Sequence, residues 1–401
     1  MEDPLLVNYK KEQEVDKIRW EKLKKVASMA APMVVVNISQ TLLQATSTMI
    51  VGHKSEISLA GIALASSIAN VTGFSLLSGL ASALETLCGQ AFGARQYEKL
   101  GFCLLPLAHT SFIWLLCTSI FDSLLPDTKL DFSYGLGTKG AALSISLSYW
   151  LNAVFLWFFM RRSQLCDGKR VFISMEAFGH MRTFFSLAVP SALMICLEWS
   201  AFEILILISG VLPNSKLETS VISMCVTSSS LHYNLATAIG AAASTNVANE
   251  LGAGNLVAAK ASAFVAIMIA AVESSSVSFA LFMSSNVWGY AYSNVPEVIH
   301  YAAEITPVLC ISIVMDSLSA SLTGVVRGSG KQKIGAYVNI AAFYIIGVPV
   351  GLLFCFILDF KVKGLWIGVL TGCTVQTITL FLITTFTKWT SEVTEASSST
   401  V

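Results

Sequence analysis

Seven acidic side chains fall inside or at the ends of strongly apolar segments: Glu85, Asp122, Glu198, Glu203, Glu273, Glu304 and Asp316. A carboxylate in hydrocarbon is costly while it stays charged, so it marks an ion or substrate path unless it reaches an interface. Position separates these cases. Glu85, Asp122 and Glu304 lie near segment ends, where solvation is expected. Glu273 is mid-segment among serines, and a packing role and a functional one both fit it. Glu198 and Glu203 share one segment. Five residues at about 100° each set them roughly 140° apart, so they do not line one narrow cavity. Asp316 lies mid-segment among Ser312, Ser317 and Ser319. It is either a hydrogen-bonded structural carboxylate or a proton site. A carboxylate without a neighbouring cation in low dielectric can bind a proton near neutral pH.

Other chemistries find little support. Gly328-Ser329-Gly330-Lys331 lacks the GxxxxGK[ST] spacing of a nucleotide-phosphate loop. The five histidines are dispersed and no Ser/His/Asp set stands out. His53 and His300 fall at outer segment ends. No CxxC or His/Cys cluster suggests a metal, and of nine cysteines only Cys166 is placed in a loop, so neither a disulfide nor a cofactor is expected. Trp150, Trp157, Trp199, Trp288 and Trp366 suit interface anchors or a stacking surface for flat or cationic solutes.

The elements that must position these groups are membrane helices. The chain of 401 residues is 54% hydrophobic and 12% charged, with a mean hydropathy of +0.69. Repeated apolar runs of 18 or more residues each suffice to cross about 30 Å of hydrocarbon. A β-barrel would alternate in polarity over short segments, and that pattern is absent. Ten spans are expected: 26–50, 58–84, 101–124, 139–160, 184–210, 219–245, 261–284, 301–323, 334–358 and 364–387. With the N-terminus inside, 19 of the 25 Lys and Arg residues fall in cytoplasmic segments and none inside a span. Both termini are therefore expected in the cytoplasm. No signal peptide is read, and the first span serves for targeting. The N-terminal basic cluster is expected against lipid headgroups. Residues 389–401 read as a disordered Ser/Thr-rich tail.

Two stretches repeat. Pro32 and Pro190 each open an apolar run, 158 residues apart, and Gly93-Ala94 matches Gly252-Ala253 at an offset of 159. Lys139-Gly140 then matches Lys363-Gly364 at 224, so the register jumps by 65 residues. A parallel repeat implies two lobes around a central cavity. The expected order is a cytoplasmic segment 1–25, a first lobe 26–160 shortened near 125–132, a linker 161–183, a second lobe 184–388 and the tail.

Several segments carry a family resemblance. They are Met49-Ile50-Val51-Gly52-His53, Leu59 to Ala65, and Gly79-Leu80-Ala81-Ser82-Ala83-Leu84-Glu85-Thr86-Leu87-Cys88-Gly89-Gln90-Ala91-Phe92-Gly93-Ala94. In the second half they are Cys196-Leu197-Glu198-Trp199, Ala248-Asn249-Glu250-Leu251-Gly252-Ala253-Gly254 and Val326-Arg327-Gly328-Ser329-Gly330-Lys331-Gln332. The chain resembles the plant branch of the multidrug and toxic compound extrusion (MATE) family. The resemblance implies an all-α membrane protein of two lobes, with about ten spans here (four plus six) against twelve in the family. It implies a proton-coupled antiporter, not an enzyme, that exports organic cations, xenobiotics or plant secondary metabolites by alternating access. Its energy source would be the proton gradient, and its partners a small organic solute, protons and membrane lipid, with no nucleic acid. A monomer in the plasma or vacuolar membrane is expected. Glu198 and Asp316 match the family's proton-linked carboxylates. Gln44, Ser47, Trp199, Glu203 and Asn234 are expected along the cavity or pathway. Ser47 stands where some bacterial members use an aspartate. The alternative is a transport-incompetent or regulatory variant, because the segment that should hold two first-lobe spans is reduced to Pro126–Asp131.

Overall fold

A computed structural model of the chain describes residues 4–52, 73, 75–96, 154, 158, 181–387 and 389. The expected span 101–124, most of the expected span 139–160 and of the linker 161–183, and the expected junction at 125–132 lie outside the described residues, as does the start of the span 58–84. Among the described residues the chain is helical without strands. The helices are α1 (Pro4–Gly52), α2 (Ser75–Gly93), α3 (Met181–Ser209), α4 (Ser215–Gly252), α5 (Leu256–Met283), α6 (Pro296–Gly328), α7 (Gln332–Ile357) and α8 (Lys361–Phe386).

Local chemistry sets the helix ends. Gly254 and Gly330 hold φ of +73° and +81° in the turns that leave α4 and α6, a region that disfavours side chains. Asn255 caps α5 by accepting from the Ala258 N–H at 3.2 Å. Pro296 opens α6, where its missing N–H costs nothing. Helix α7 is interrupted by π-helical turns at Ile340–Gly347 and Leu353–Ile357. Pro349 donates no N–H in the stretch between them, and Gly347 and Gly351 lie against Gly368 and Gly372 of α8.

Five of these helices, α3 and α5 to α8, are long and apolar enough to cross a membrane. Helix α4 does not meet that measure, although it is expected as a span. Its Ser229, His232, Ser244, Asn246 and Glu250 are buried against neighbouring helices. Polar groups that face protein instead of lipid are compatible with crossing. Lipid-type surface lies elsewhere: Leu207, Val211, Phe279, Ile345, Ile357 and Phe386 are each at least 67% exposed.

The main core joins α3, α4, α6, α7 and α8 through Leu205, Ile222, Leu309, Phe343, Leu365 and Trp366. A second core brings α1 to the far end of α4 and the start of α5, where Val26 and Ala30 meet Ala243, Leu251, Ala263 and Trp389. Residues 4–25 are continuous helix with the first span. Two expectations change here. Lys22 and Lys25 ion-pair with Glu250, so these two lysines face protein and not only lipid headgroups. Trp389 is 6% exposed and packed, so the tail does not begin before it.

Helices α2 and α4 touch backbone to backbone. A Cβ on Gly93 would lie 2.0 Å from the Asn249 carbonyl oxygen, and one on Gly252 would lie 2.1 Å from the Gln90 carbonyl oxygen. Gln90 and Asn249 are themselves 159 residues apart, the offset of the repeat. The two contacts therefore exchange under a local two-fold axis. Farther along α4, Gly240 lies against Gly324 of α6 in the same manner. Small residues at such crossings are what allow membrane helices to approach closely. Gly252→Ala is expected to lower stability by about 1–3 kcal/mol through overpacking. Gly210→Ala, with 3.3 Å to its nearest atom, serves as the near-neutral comparison. Thermal unfolding in detergent measures both, and equal midpoints would reject the tight crossing.

Candidate functional site

Glu198 and Asp316 are 6% and 4% exposed, inside the second lobe. Their helices do not pack extensively on each other. Helices α4, α7 and α8 join them through side chains.

Glu198 faces α7 because Met194, Leu197 and Glu198 lie on one stripe of α3. The Asn339 amide nitrogen donates to the Met194 carbonyl at 2.8 Å and to Glu198 Oε2 at 3.4 Å. Tyr344 donates to the Leu197 carbonyl at 2.9 Å. From α4, the Tyr233 hydroxyl donates to Glu198 Oε1 at 2.9 Å. Trp199 packs edge-on against that tyrosine ring, with centroids 6.4 Å apart. Asn339 is the last residue before the first π-helical stretch, a placement frequent at functional positions.

Asp316 faces α8. Trp366, Cys373 and Thr377 share one stripe of that helix and reach α6 in turn. The Trp366 indole donates to Ser312 Oγ at 3.1 Å, the Cys373 thiol points at Asp316 Oδ1 at 3.9 Å, and Thr377 donates to the Met315 carbonyl at 2.8 Å. One turn from Cys373, Gln376 donates to Asn339 Oδ1 at 2.8 Å. A single stretch of α8 thus serves both carboxylates.

The amide orientations follow from elimination. The Met194 carbonyl only accepts, so Asn339 turns its nitrogen to it. Its Oδ1 then faces Gln376, which must present nitrogen. Gln376 Oε1 is left buried and unpaired among the described residues. No Lys or Arg forms an ion pair with Glu198 or Asp316 among those residues. The site consists of two acidic groups, neutral donors and a spare acceptor.

One cation stands nearby. Arg327 lies in the last turn of α6, within the helix and not beyond it. Its guanidinium is within electrostatic reach of Glu198, Tyr233 and Glu85, and its Nε is buried without a partner among the described residues. The expectation that no cation neighbours the buried carboxylates is corrected here. Arg327 is close in sequence to a loop, but the helix continues through it to Gly328 and draws the side chain inward. Glu85 is half-buried and accepts from Thr245 of α4 at 2.6 Å, so it is not simply a solvated end group. Beside it, Thr86 donates to the Arg327 carbonyl at 2.9 Å and accepts from Gln332 at 3.1 Å.

The remaining pathway candidates separate. Glu203 is half-buried on α3 without a hydrogen bond among the described residues. Asn234 donates along its own helix to the Ser230 carbonyl, while its carbonyl accepts from Asn37 of α1 at 3.0 Å. Gln44 and Ser47 fall on α1, and their side chains lie outside the described residues. A small apolar crevice between α3, α7 and α8 is lined by Phe202, Phe343, Gly347 and Val369. It presents no polar group for orienting a solute.

Comparison with known proteins follows this geometry. The MatE family model matches residues 32–169 and 190–353, and its two stretches begin on Pro32 and Pro190. Protein DETOXIFICATION 9 of Arabidopsis thaliana is 54% identical, with 99% of this chain and 96% of that protein covered. That alignment spans 461 residues, 60 more than this chain contains. Protein DETOXIFICATION 8 of the same plant is 46% identical over 94% of this chain and 90% of its own length. The crystal structure of the eukaryotic MATE transporter AtDTX14 matches with a TM-score of 0.86 at 39% identity, covering 96% of this chain and 100% of that one.

Asn339 is the junction of the site. Asn339→Leu removes the bonds to Met194, Glu198 and Gln376, leaves the buried Gln376 amide without this acceptor, and is expected to cost about 1–3 kcal/mol. Asn234→Leu, whose amide bonds its own helix, is expected to cost well under half of that. Thermal unfolding in detergent compares them, and equal losses would remove Asn339 from this role.

Proposed function

This chain belongs to the MatE family of membrane transporters, and we propose that it is a proton-coupled antiporter that exports organic cations, xenobiotics or plant secondary metabolites. Glu198 and Asp316 are its proton-binding groups. The observation that carries this reading is one stretch of α8 serving both carboxylates, with Cys373 reaching Asp316 and Gln376 reaching Glu198 through Asn339, buried and without an ion-paired cation among the described residues. Two acidic groups in a dry site repel each other while both are ionised, which favours taking up a proton. Gln376 Oε1 adds an acceptor to the same cluster.

With both termini in the cytoplasm, as the distribution of basic residues suggests, the α2 contacts with α4 and with the α6–α7 turn close the cytoplasmic end. Protons entering from outside load the two carboxylates and favour the state that releases solute outward. Their departure to the cytoplasm restores affinity for the next solute. Each pH unit of gradient supplies roughly 1.4 kcal/mol per proton. The membrane is the plasma or vacuolar membrane, and the transporting unit is the monomer.

The length difference from DETOXIFICATION 9 favours a second reading: a transport-incompetent or regulatory variant whose first lobe lacks part of the cavity wall. Reconstituted vesicles with an inward-directed proton gradient and ethidium as the cation test both. Efflux is expected from this chain, falling at least about tenfold in Glu198→Gln and in Asp316→Asn, roughly 1.4 kcal/mol of lost coupling, and persisting in Glu203→Gln. Unchanged efflux in both carboxylate variants would reject the coupling. Efflux only after about sixty residues are restored to the first half would favour the second reading.

A further inference from the structure

A second polar cluster lies inside the same lobe, and the coupling site does not use it. His232 of α4 is 5% exposed, and its Nε2 lies 3.2 Å from the Glu273 carboxylate of α5. Ser317 of α6, fully buried, points its hydroxyl at the same carboxylate at 3.5 Å. His232 Nδ1 is buried with no hydrogen-bond partner among the described residues. The sequence reads Glu273 as alone among serines. The fold supplies its partners from two other helices.

This cluster stands back to back with the first. Tyr233, the residue after His232, donates to Glu198. Asp316, the residue before Ser317, faces Cys373. Consecutive helical residues diverge by about 100°, so α4 and α6 each show one face to each cluster. The titratable groups around the pair are few. Glu273 faces His232 from α5, Asp316 precedes Ser317 on α6, Glu198 of α3 is held by Tyr233, the residue after His232, and Arg327 of α6 is within electrostatic reach of that tyrosine. From α1, which packs on α4 and α5, Lys22 and Lys25 are held by Glu250 and Arg19 lies over the Phe264 ring, all away from His232.

An imidazole and a carboxyl group at hydrogen-bond distance can share one proton between them. A pair that only filled space would gain nothing from the unpaired Nδ1, a stranded acceptor in a dry interior. That nitrogen is a place for a further proton. We propose that His232 and Glu273 are a second proton-binding pair of the antiport cycle, kept in step with Asp316 through Ser317. The proposal rests on the proton-antiport reading above.

The test uses the full chain in lipid nanodiscs with ring-labelled histidine. Five histidines produce five signals, and His232→Gln identifies the relevant one. The His232 titration midpoint is expected to move by about half a pH unit or more in Glu273→Gln and also in Asp316→Asn. No movement in either variant, or movement in Glu273→Gln alone, overturns the proposal. Ser317→Ala keeps both carboxylates and is expected to weaken the response to Asp316→Asn, which reads the link even if Glu273→Gln does not fold. The readout requires no transport. Absent efflux with an intact His232–Asp316 link rejects only the antiport reading, and normal efflux with an uncoupled His232 rejects only this one.

Discussion

The described structure depends on α4 lying so close to its neighbours that no side chain fits between them. Gly93 and Gly252 bring it against α2, and Gly240 with Gly324 bring it against α6. In a bilayer the tails surrounding a helix are as apolar as leucine, so helices associate by close packing and by polar contacts. Both are present along α4. The tight crossings fix its height and rotation. The rotation in turn presents Tyr233 to Glu198, His232 to Glu273 and Thr245 to Glu85. One helix thereby meets three acidic groups carried by three different helices.

Away from water, each of these groups must find a partner within the protein. The structure meets that demand unevenly. Asn339 spends its amide on three neighbours and fixes every orientation around it. Gln376 Oε1, His232 Nδ1 and Arg327 Nε remain without partners among the described residues. Stranded groups of this kind cost stability in a dry interior. A fully satisfied network specifies one arrangement, whereas these positions leave room for a proton to arrive.

The sequence made the helices and the repeat legible. Hydropathy marked α3 and α5 to α8 within a few residues of their ends, because a span must be long and apolar. Glu198 and Asp316 stood out because an acidic residue in such a run is rare. The misses share a cause: adjacency between helices leaves no mark on the sequence of either one. Arg327 looked like a loop residue because the apolar run ends before the helix does. Glu273 looked solitary because His232 lies 41 residues away on another helix. Lys22 and Lys25 looked bound to lipid headgroups because Glu250 follows more than two hundred residues later. Trp389 looked like part of a polar tail, although its ring closes a core that begins at Val26.

The exchange of contacts between Gly93 with Asn249 and Gly252 with Gln90 has an ancestral meaning. Two identical half-length chains related by a two-fold axis would make the same contact twice, each glycine meeting the other copy's carbonyl. Duplication and fusion turn that interface between subunits into an interface within one chain, with geometry unchanged. The contact involves only α2 and α4. The seam between the two repeats is thus a symmetric interface carried within one chain.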